Sequence, residues 1–580
     1  MSTRRQKISL AVIVDSSQKN TYSILRETTF SALEHFGMPY QIINLNKDSF
    51  SIDDLLSCCG IIIPQEHLGD SFSLKNVEDI TKAVEEGVGL VNFDIFIKRY
   101  PSSLRNIFGL STSEGYQVNL INSLKIINNK HYITYTREMN DIIYFKRPIE
   151  AIKISQIKRD VDILMQYENN YPLLLATSFR KGRAIQFLFS PKVWLKKFLG
   201  HACGLDDIFW KSIVWSTKKP FTMKAMPPFV TAKIDDVSGS NSLFGKKENS
   251  ANLHFRYLDS LNKYGYLPNI ALFIDDISDE DGKIIKLKYD NKLADFSPHA
   301  FADPKNINEK PIYMKHDGSE FSEEELKRNI AKVDAKFSKW GIKLSKVLTA
   351  HFGEIGVNAL PFLKERRQVF SIPIMRFGKH YNDPKAWDWD PKPYSNPAYT
   401  FDFIPDYPDF FCVVCTYDQV GIDDYTTPHF DFLFSCTPFW NENPYVDVEK
   451  AAKRGAEHIK RGLDSLFFGC LLTHEQRIAT LSIEEWDKVF SRIDELTSKY
   501  DKIFRSYEYI AQYAKNKVKS HIKEASYNSS SKEIKCTLNG ETDMPLQLYI
   551  FRDKDKGVEY KLETIPAFTG SITVSFKVEK

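Results

Sequence analysis

Short apolar runs alternate with amphipathic segments over residues 7–110, and a similar series extends over residues 225–520. In the first region the apolar runs are KISLAVIVD, YQIINL, GIIIPQ and GLVNFD. The segment between the first two runs has helical periodicity and ends at Gly37. Strands that are apolar along their whole length are buried on both faces, which is typical of a parallel sheet covered by helices. The alternation therefore predicts an α/β fold in both regions.

The remaining chain divides at changes of pattern. Residues 111–220 are rich in β-type runs, and residues 525–580 contain four runs in which apolar and polar residues alternate. The proline-rich segment KPFTMKAMPPFV is a linker candidate, because proline continues neither a helix nor a central strand. We therefore expect four parts: 1–110, 111–220, 225–520 and 525–580, the last of them a small β-sandwich.

Charge and hydropathy exclude some classes of function. Lys+Arg 78 against Asp+Glu 75 gives a net charge of +3, which offers no broad basic field for nucleic acid. No apolar window approaches the about 18 residues of a transmembrane helix. The apolar run Ile8–Val14 leads directly into Asp15 without a small-residue cleavage site, so we interpret it as a buried strand rather than a signal peptide. We expect a cytoplasmic protein, with export as the alternative.

Charged residues and histidines follow several apolar runs of the third part. A single charged residue at a strand end is usually a solvated loop residue. Several such residues at successive strand ends favour a site, because buried charges need partners or a metal. The carboxyl ends of the strands in a (β/α) barrel carry its chemistry, so we expect the site there. The residues are Asp235, Asp236, Asp275, Asp276, His299, His316, His351, Arg376, His474 and Glu475.

The order of these residues resembles the polysaccharide deacetylase (NodB-like) family, whose fold is a distorted (β/α) barrel. The resemblance covers residues 225–500 and rests on the motifs KIDDVSG, HDGSEFSEEELKRNI and LLTHE. The sequence departs from the family pattern at two points. An insertion separates His299 from His316, which the family places four residues apart, and His351 lies near the position of the third motif's arginine.

The resemblance implies a metal-dependent deacetylase that removes N- or O-acetyl groups from an acetylated oligo- or polysaccharide. It implies a divalent metal, zinc first and cobalt or nickel as alternatives, held by two nitrogen ligands and one carboxylate. On this pattern Asp236, His299 and His316 bind the metal, and Asp303 and His351 compete for the third position.

The same resemblance assigns the remaining roles. Asp235 is the general base on water, His474 is the general acid, and Arg376 holds Asp235 ionised. His351 is alternatively a substrate contact. Aromatic rings stack on sugar faces, so the loop WDWDPKPY is a candidate subsite through Trp387, Trp389 and Tyr394.

Residues 1–110 resemble the flavodoxin-like domain of class I glutamine amidotransferases. The turn that bears the nucleophilic cysteine is missing, and Pro64 and Gln65 stand there, so we expect a non-catalytic domain through which a homo-oligomer could form. Two other functions stay open. One is a glycoside hydrolase that uses Asp235 with Asp418 or Asp424. The other is an inactive glycan-binding protein.

Overall fold

The computed structural model describes residues 6–110, 116–154, 156–168, 171–242, 248–302, 310–372, 375–386, 399–415, 431–433, 447–555 and 557–578. The chain divides into two compact units. Unit 1 contains Met1–Met226, Asp464–Leu466 and Lys519–Lys580, and unit 2 contains Pro227–Leu463 and Phe467–Val518. The predicted mixed α/β, multidomain class is confirmed. Within the described ranges, no helix combines the length and the apolar character that crossing a membrane requires.

The first half of unit 1 is built on one nine-stranded sheet. Its strands and the short strands beside it are β1 Gln6–Lys7, β2 Leu10–Val14, β3 Tyr40–Asn44, β4 Gly60–Ile63, β5 Gly89–Asn92, β6 Gln117–Ile126, β7 Ile142–Lys153, β8 Asp162–Tyr167, β9 Tyr171–Phe179, β10 Gly182–Phe187 and β11 Phe221–Met223. The helices are α1 Lys19–Ser23, α2 Ser31–Phe36, α3 Ile52–Leu56, α4 Leu74–Glu85, α5 Ser102–Ile107 and α6 Asp206–Ser216.

The sheet order is β3-β2-β4-β5-β10-β9-β8-β6-β7. The first five strands of this order, from β3 through β10, are parallel to one another. Each of the remaining four strands, β9, β8, β6 and β7, is antiparallel to the strand before it. Every residue of β2, β4 and β5 is buried, as the continuous apolar runs predict. Gly37 ends α2 in the left-handed region at φ 65°, where a Cβ would lie 2.4 Å from the carbonyl oxygen of Lys224. The two predicted parts 1–110 and 111–220 therefore share one sheet.

Unit 2 contains two further sheets. Its strands are β12 Phe229–Val237, β13 Asn269–Phe273, β14 Asp295–Ala300, β15 Val347–Leu348, β16 Phe370–Ser371, β17 Tyr399–Ile404, β18 Tyr407–Cys415, β19 Gly469–His474 and β20 Ile503–Phe504. Its helices are α7 Tyr257–Lys263, α8 Asp279–Asp290, α9 Glu323–Trp340, α10 Leu360–Glu365, α11 Val448–Asp464, α12 Glu475–Ile478, α13 Ile483–Leu496 and α14 Tyr507–Val518.

The first sheet of unit 2 is fully parallel, in the order β14-β13-β12-β19, with β20 also paired to β12. The second has the order β15-β16-β18-β17, and its β17–β18 hairpin is antiparallel. Over the described residues these strands form two separate sheets, so the distorted (β/α) barrel is not confirmed and stays a prediction. The hairpin strand β17 is absent from the sequence prediction.

Two helices of unit 2 begin at capping boxes. Ser322 and Glu325 form a reciprocal capping box at the start of α9, and Ser482 and Glu485 form another at the start of α13. The core beneath the parallel sheet contains fully buried aromatic and aliphatic side chains, including Trp486. This packing holds the parallel strands in register, which brings their carboxyl ends to one edge.

The C-terminal strands belong to unit 1. They are β21 Ser520–Asn528, β22 Glu533–Thr542, β23 Leu546–Lys554, β24 Gly557–Ile565 and β25 Phe568–Lys577. They form two antiparallel sheets, β1-β21-β22-β25 and β11-β23-β24, so each sheet also contains a strand from the N-terminal half of the chain. The four strands predicted in this tail are present.

Asp295, at the amino end of β14, gives a pH-dependent prediction about stability. Burial and the charge of Glu508 raise its pKa to about 6 although two hydrogen bonds oppose the shift, and its Oδ2 has no hydrogen-bond partner in the described structure. Because the folded pKa exceeds the unfolded value, ionisation destabilises the fold as the pH rises from about 4, and the penalty is complete above the folded pKa. We expect Asp295→Asn to increase the free energy of unfolding by about 1–2 kcal/mol at pH 7.

Urea unfolding at pH 4 and pH 7 measures this difference. The gain should largely disappear at pH 4, where the carboxyl group is protonated in the folded state and about half protonated in the unfolded state. Asp290 forms an exposed pair with Lys286, so Asp290→Asn is the control and should change stability by less than about 0.5 kcal/mol at either pH. An equal gain at both pH values would contradict the ionisation argument.

Candidate metal centre

The site begins at an irregularity in the central strand β12. The register of β12 against β13 shifts between Ile234 and Val237, so that Asp235 and Asp236 lie opposite the single residue Ala271. Asp236 has a positive φ of 58°. In a regular strand two consecutive side chains would point to opposite faces, and a β-bulge removes that restriction. The bulge therefore allows both carboxylates to serve one site.

Three side chains at this edge converge on one point. Asp236 lies at the end of β12, His299 near the end of β14, and His351 in the 3₁₀ turn that follows β15. The Nε2 atom of His299 is 2.9 Å from Oδ1 of Asp236, and the Nε2 atom of His351 is 3.7 Å from the same oxygen. All three candidate ligand atoms lie within 4.8 Å of one another. We name this group the Asp236–His299–His351 cluster.

The contacts of His299 are those of a metal ligand. Its Nδ1 donates to the carbonyl oxygen of Thr349, so Nε2 faces the carboxylate of Asp236 with a proton in the charged ring and with a lone pair in the neutral ring. Two lone pairs at this distance repel unless a proton or a cation lies between them. Histidines that bind metals commonly donate their other ring nitrogen to a backbone carbonyl. Two imidazoles and one carboxylate are also the donor set of catalytic zinc sites, so the residues fit a divalent cation.

The local charges keep Asp236 ionised. Burial raises its pKa, but the hydrogen bond with His299 and the positive charges of His474, His299 and His351 together hold this pKa well below its usual range. Its other oxygen, Oδ2, accepts a hydrogen bond of 2.8 Å from Nε2 of Gln476. Oδ1 is the oxygen that faces the histidines.

Asp235 has a different partner. It is buried, and both of its carboxylate oxygens contact Nζ of the buried Lys233, two residues earlier on the same strand. Arg376, which the resemblance places at Asp235, has Nη1 3.8 Å from Oδ2 of Asp406, and its side chain is 39% exposed. The cation that contacts Asp235 is therefore Lys233. The i, i+2 spacing of lysine and aspartate in a strand is the sequence signal that could have indicated it.

His474 ends β19 directly beside Asp235 in the strand register. Its Nδ1 lies 2.6 Å from Oδ2 of the buried Asp431, and the same oxygen lies 2.7 Å from Nε of Arg477. Burial lowers the pKa of His474, but the hydrogen bond with Asp431 and the charges of Asp236, Asp431 and Asp235 outweigh it and raise this pKa. Asp431 was not predicted as a site residue. Its only signal is an acid inside the apolar run HFDFLF.

The structure thus brings together Asp235, Asp236, His299, His351 and His474. His316 is exposed in the turn before α9 and is not a member of the cluster, whose second histidine is His351. Six other predicted residues lie outside the described residues, and these are Asp303, Trp387, Trp389, Tyr394, Asp418 and Asp424.

Comparison with known proteins gives a fold relationship. No family model and no curated protein matches the chain. Agd3, described as a novel carbohydrate deacetylase, is similar over 99% of this chain and 99% of its own, with a TM-score of 0.58 and 12% identity. A ThuA-like protein from Bacteroides uniformis ATCC 8492 is similar over 37% of this chain and 94% of its own, with a TM-score of 0.29 and 11% identity.

A β-galactosidase from Bacillus circulans sp. alkalophilus is similar over 33% of this chain and 29% of its own, with a TM-score of 0.23 and 14% identity. The two partial similarities are too weak to support an argument. The similarity to Agd3 extends over the whole chain, and at this identity it shows a shared fold alone.

The cluster predicts which histidine completes a metal site. We expect His351→Ala to weaken zinc binding by at least about 10–100-fold, because it removes one of three ligands, and we expect His316→Ala to leave binding unchanged. Zinc retained after dialysis, measured by inductively coupled plasma mass spectrometry, separates the two variants. Loss of zinc in His316→Ala together with its retention in His351→Ala would contradict this assignment.

Proposed function

We propose that the chain is a metal-dependent carbohydrate deacetylase, which hydrolyses N- or O-acetyl groups of a glycan. The observation that carries this proposal is the Asp236–His299–His351 cluster beside Asp235 and His474, at the carboxyl ends of parallel strands. The whole-chain similarity to Agd3, described as a carbohydrate deacetylase, supports it. The donor set favours zinc, with cobalt and nickel as alternatives.

Asp236, His299 and His351 would hold the ion. When bound, a divalent ion lowers the pKa of water to about 7 and polarises the acetyl carbonyl. The protein supplies the fixed donor atoms, since Thr349 orients His299 and Gln476 orients Asp236. These contacts limit the freedom of the ligands before any substrate binds.

We assign proton transfer to two groups, one that accepts a proton and one that donates a proton. Asp235 accepts the proton of the water whose oxygen attacks the acetyl carbon, and the contact with Lys233 orients the carboxylate. His474 then donates a proton from Nε2 to the leaving nitrogen or oxygen as its bond to the acetyl carbon breaks. The products are acetate and the free amine or hydroxyl group. Because Asp431 binds Nδ1, Nε2 is the nitrogen that can transfer the proton.

The substrate side of the proposal rests on residue chemistry. We assign Trp387, Trp389 and Tyr394 to sugar stacking, because ring faces bind the apolar faces of pyranoses. Asp235 and His474 are assigned to the same acetylated glycan. We assign no nucleic acid partner to a chain with a net charge of +3.

Acetate release tests the proposed function. The full chain is incubated with N-acetylated and O-acetylated oligosaccharides, and acetate is assayed enzymatically while the products are weighed by mass spectrometry. We expect release that a chelator abolishes and zinc restores, and we expect Asp235→Asn to reduce kcat by about 10²–10⁴-fold because the general base is lost. Asp487→Asn, at an exposed pair with Lys263, is the matched control. Reducing sugar without acetate would indicate a glycoside hydrolase instead.

The pair of His474 and Asp431 predicts a pH dependence. The raised pKa of His474 favours its protonated form, and activity should fall as the pH rises through that pKa. Asp431→Asn removes the hydrogen-bonded anion and therefore lowers the pKa of His474. We expect the alkaline limb of the kcat profile to move to lower pH by about 1–3 units. A limb that stays in place in this variant, with kcat reduced equally at every pH, would contradict the assignment of His474 as the acid.

A further inference from the structure

Gln476 lies in the short helix α12, two residues after His474, and only 9% of it is exposed. Its Nε2 donates a hydrogen bond of 2.8 Å to Oδ2 of Asp236. A carboxylate oxygen only accepts hydrogen bonds, so the amide must turn its nitrogen toward Asp236. This contact joins the end of β19 to the end of β12 at the candidate metal centre.

The contact acts on a carboxylate whose backbone is strained. Asp236 adopts a left-handed conformation, which is unfavourable for a residue other than glycine and persists only where the surroundings enforce it. The preceding residue of α12, the buried Glu475, accepts the backbone N–H of Ser238 at 2.8 Å and that of Gly239 at 3.3 Å. The first turn of α12 therefore holds both the side chain of Asp236 and the turn that follows it.

We propose that Gln476 is a positioning residue for metal binding: it occupies Oδ2 of Asp236, so that Oδ1 alone is presented between His299 and His351. The inference rests on the metal centre of the proposed function and adds a residue to it. Gln476 does not contact the ion in this arrangement. It acts through the orientation of Asp236.

The other end of the same amide distinguishes this role from a structural one. The Oε1 atom of Gln476 is buried and has no hydrogen-bond partner among the described residues. An unpaired buried acceptor destabilises the fold, because it has lost its hydrogen bonds to water. An apolar side chain of similar length would remove that cost, so the fold alone gives little reason for an amide here. The hydrogen bond that the amide donates to Asp236 provides a reason for it.

The test measures zinc affinity and stability separately. Gln476→Met keeps the side-chain length and removes the donor, and zinc affinity of the full chain is measured by competition with a chromophoric chelator. We expect binding about 10–100-fold weaker, because loss of a group that orients a metal ligand has effects of this size. We expect the urea midpoint of the metal-free chain to stay the same or to rise.

Gln368→Met is the matched control, because Gln368 is also buried in unit 2 and donates to a backbone carbonyl, that of Ser345. It should leave zinc affinity unchanged. Wild-type affinity in Gln476→Met would overturn the inference, and so would a loss of affinity that the control shares. Asp236→Ala separates this failure from failure of the metal centre. If Asp236→Ala binds zinc normally, the proposed metal centre is wrong, whereas if it alone loses zinc, only the role of Gln476 is wrong.

Discussion

The site depends on one constraint, which is the ionised carboxylate of Asp236 at the end of a buried central strand. An ion in such surroundings is costly unless positive charges or hydrogen-bond donors compensate it. Here the compensation comes from three directions: His299 from β14, His351 from the turn after β15, and Gln476 from α12. Each group is delivered by a different element, so the strand register of unit 2 and the electrostatics of the site require each other.

The two groups to which proton transfer is assigned contact different residues. Asp235 contacts Lys233, and His474 contacts Asp431, which Arg477 also approaches. This separation matters because general acid–base chemistry needs one group that stays ionised and one that stays protonated at the same pH. A carboxylate paired with an ammonium group and an imidazole paired with a buried carboxylate satisfy both requirements within one strand register.

Sequence patterns predicted the parallel strands β2 to β5 and the residues of the site that follow continuous apolar runs. Asp235, Asp236, His299 and His474 could be found because each stands at the end of such a run. Asp431 could not, since it lies inside an apolar run, and a buried charge there becomes meaningful only when its partner in space is known. The bulge in β12 was also inaccessible, because it is a property of pairing between two strands rather than of either strand.

The choice between His316 and His351 shows why linear spacing was insufficient. A family pattern with two nearby histidines favours His316, which precedes a well-capped helix, yet the ligand is selected by which segment lies beside β14. Oγ of Ser297 on β14 donates to the carbonyl of Val347 on β15 at 3.0 Å, and His299 donates to that of Thr349. The segment that orients the first histidine therefore continues directly to His351, two residues later. The same backbone segment fixes the tautomer of His299 and carries the second histidine ligand, His351. This link between the two ligands arises from the tertiary contact of β14 with the segment that begins at β15.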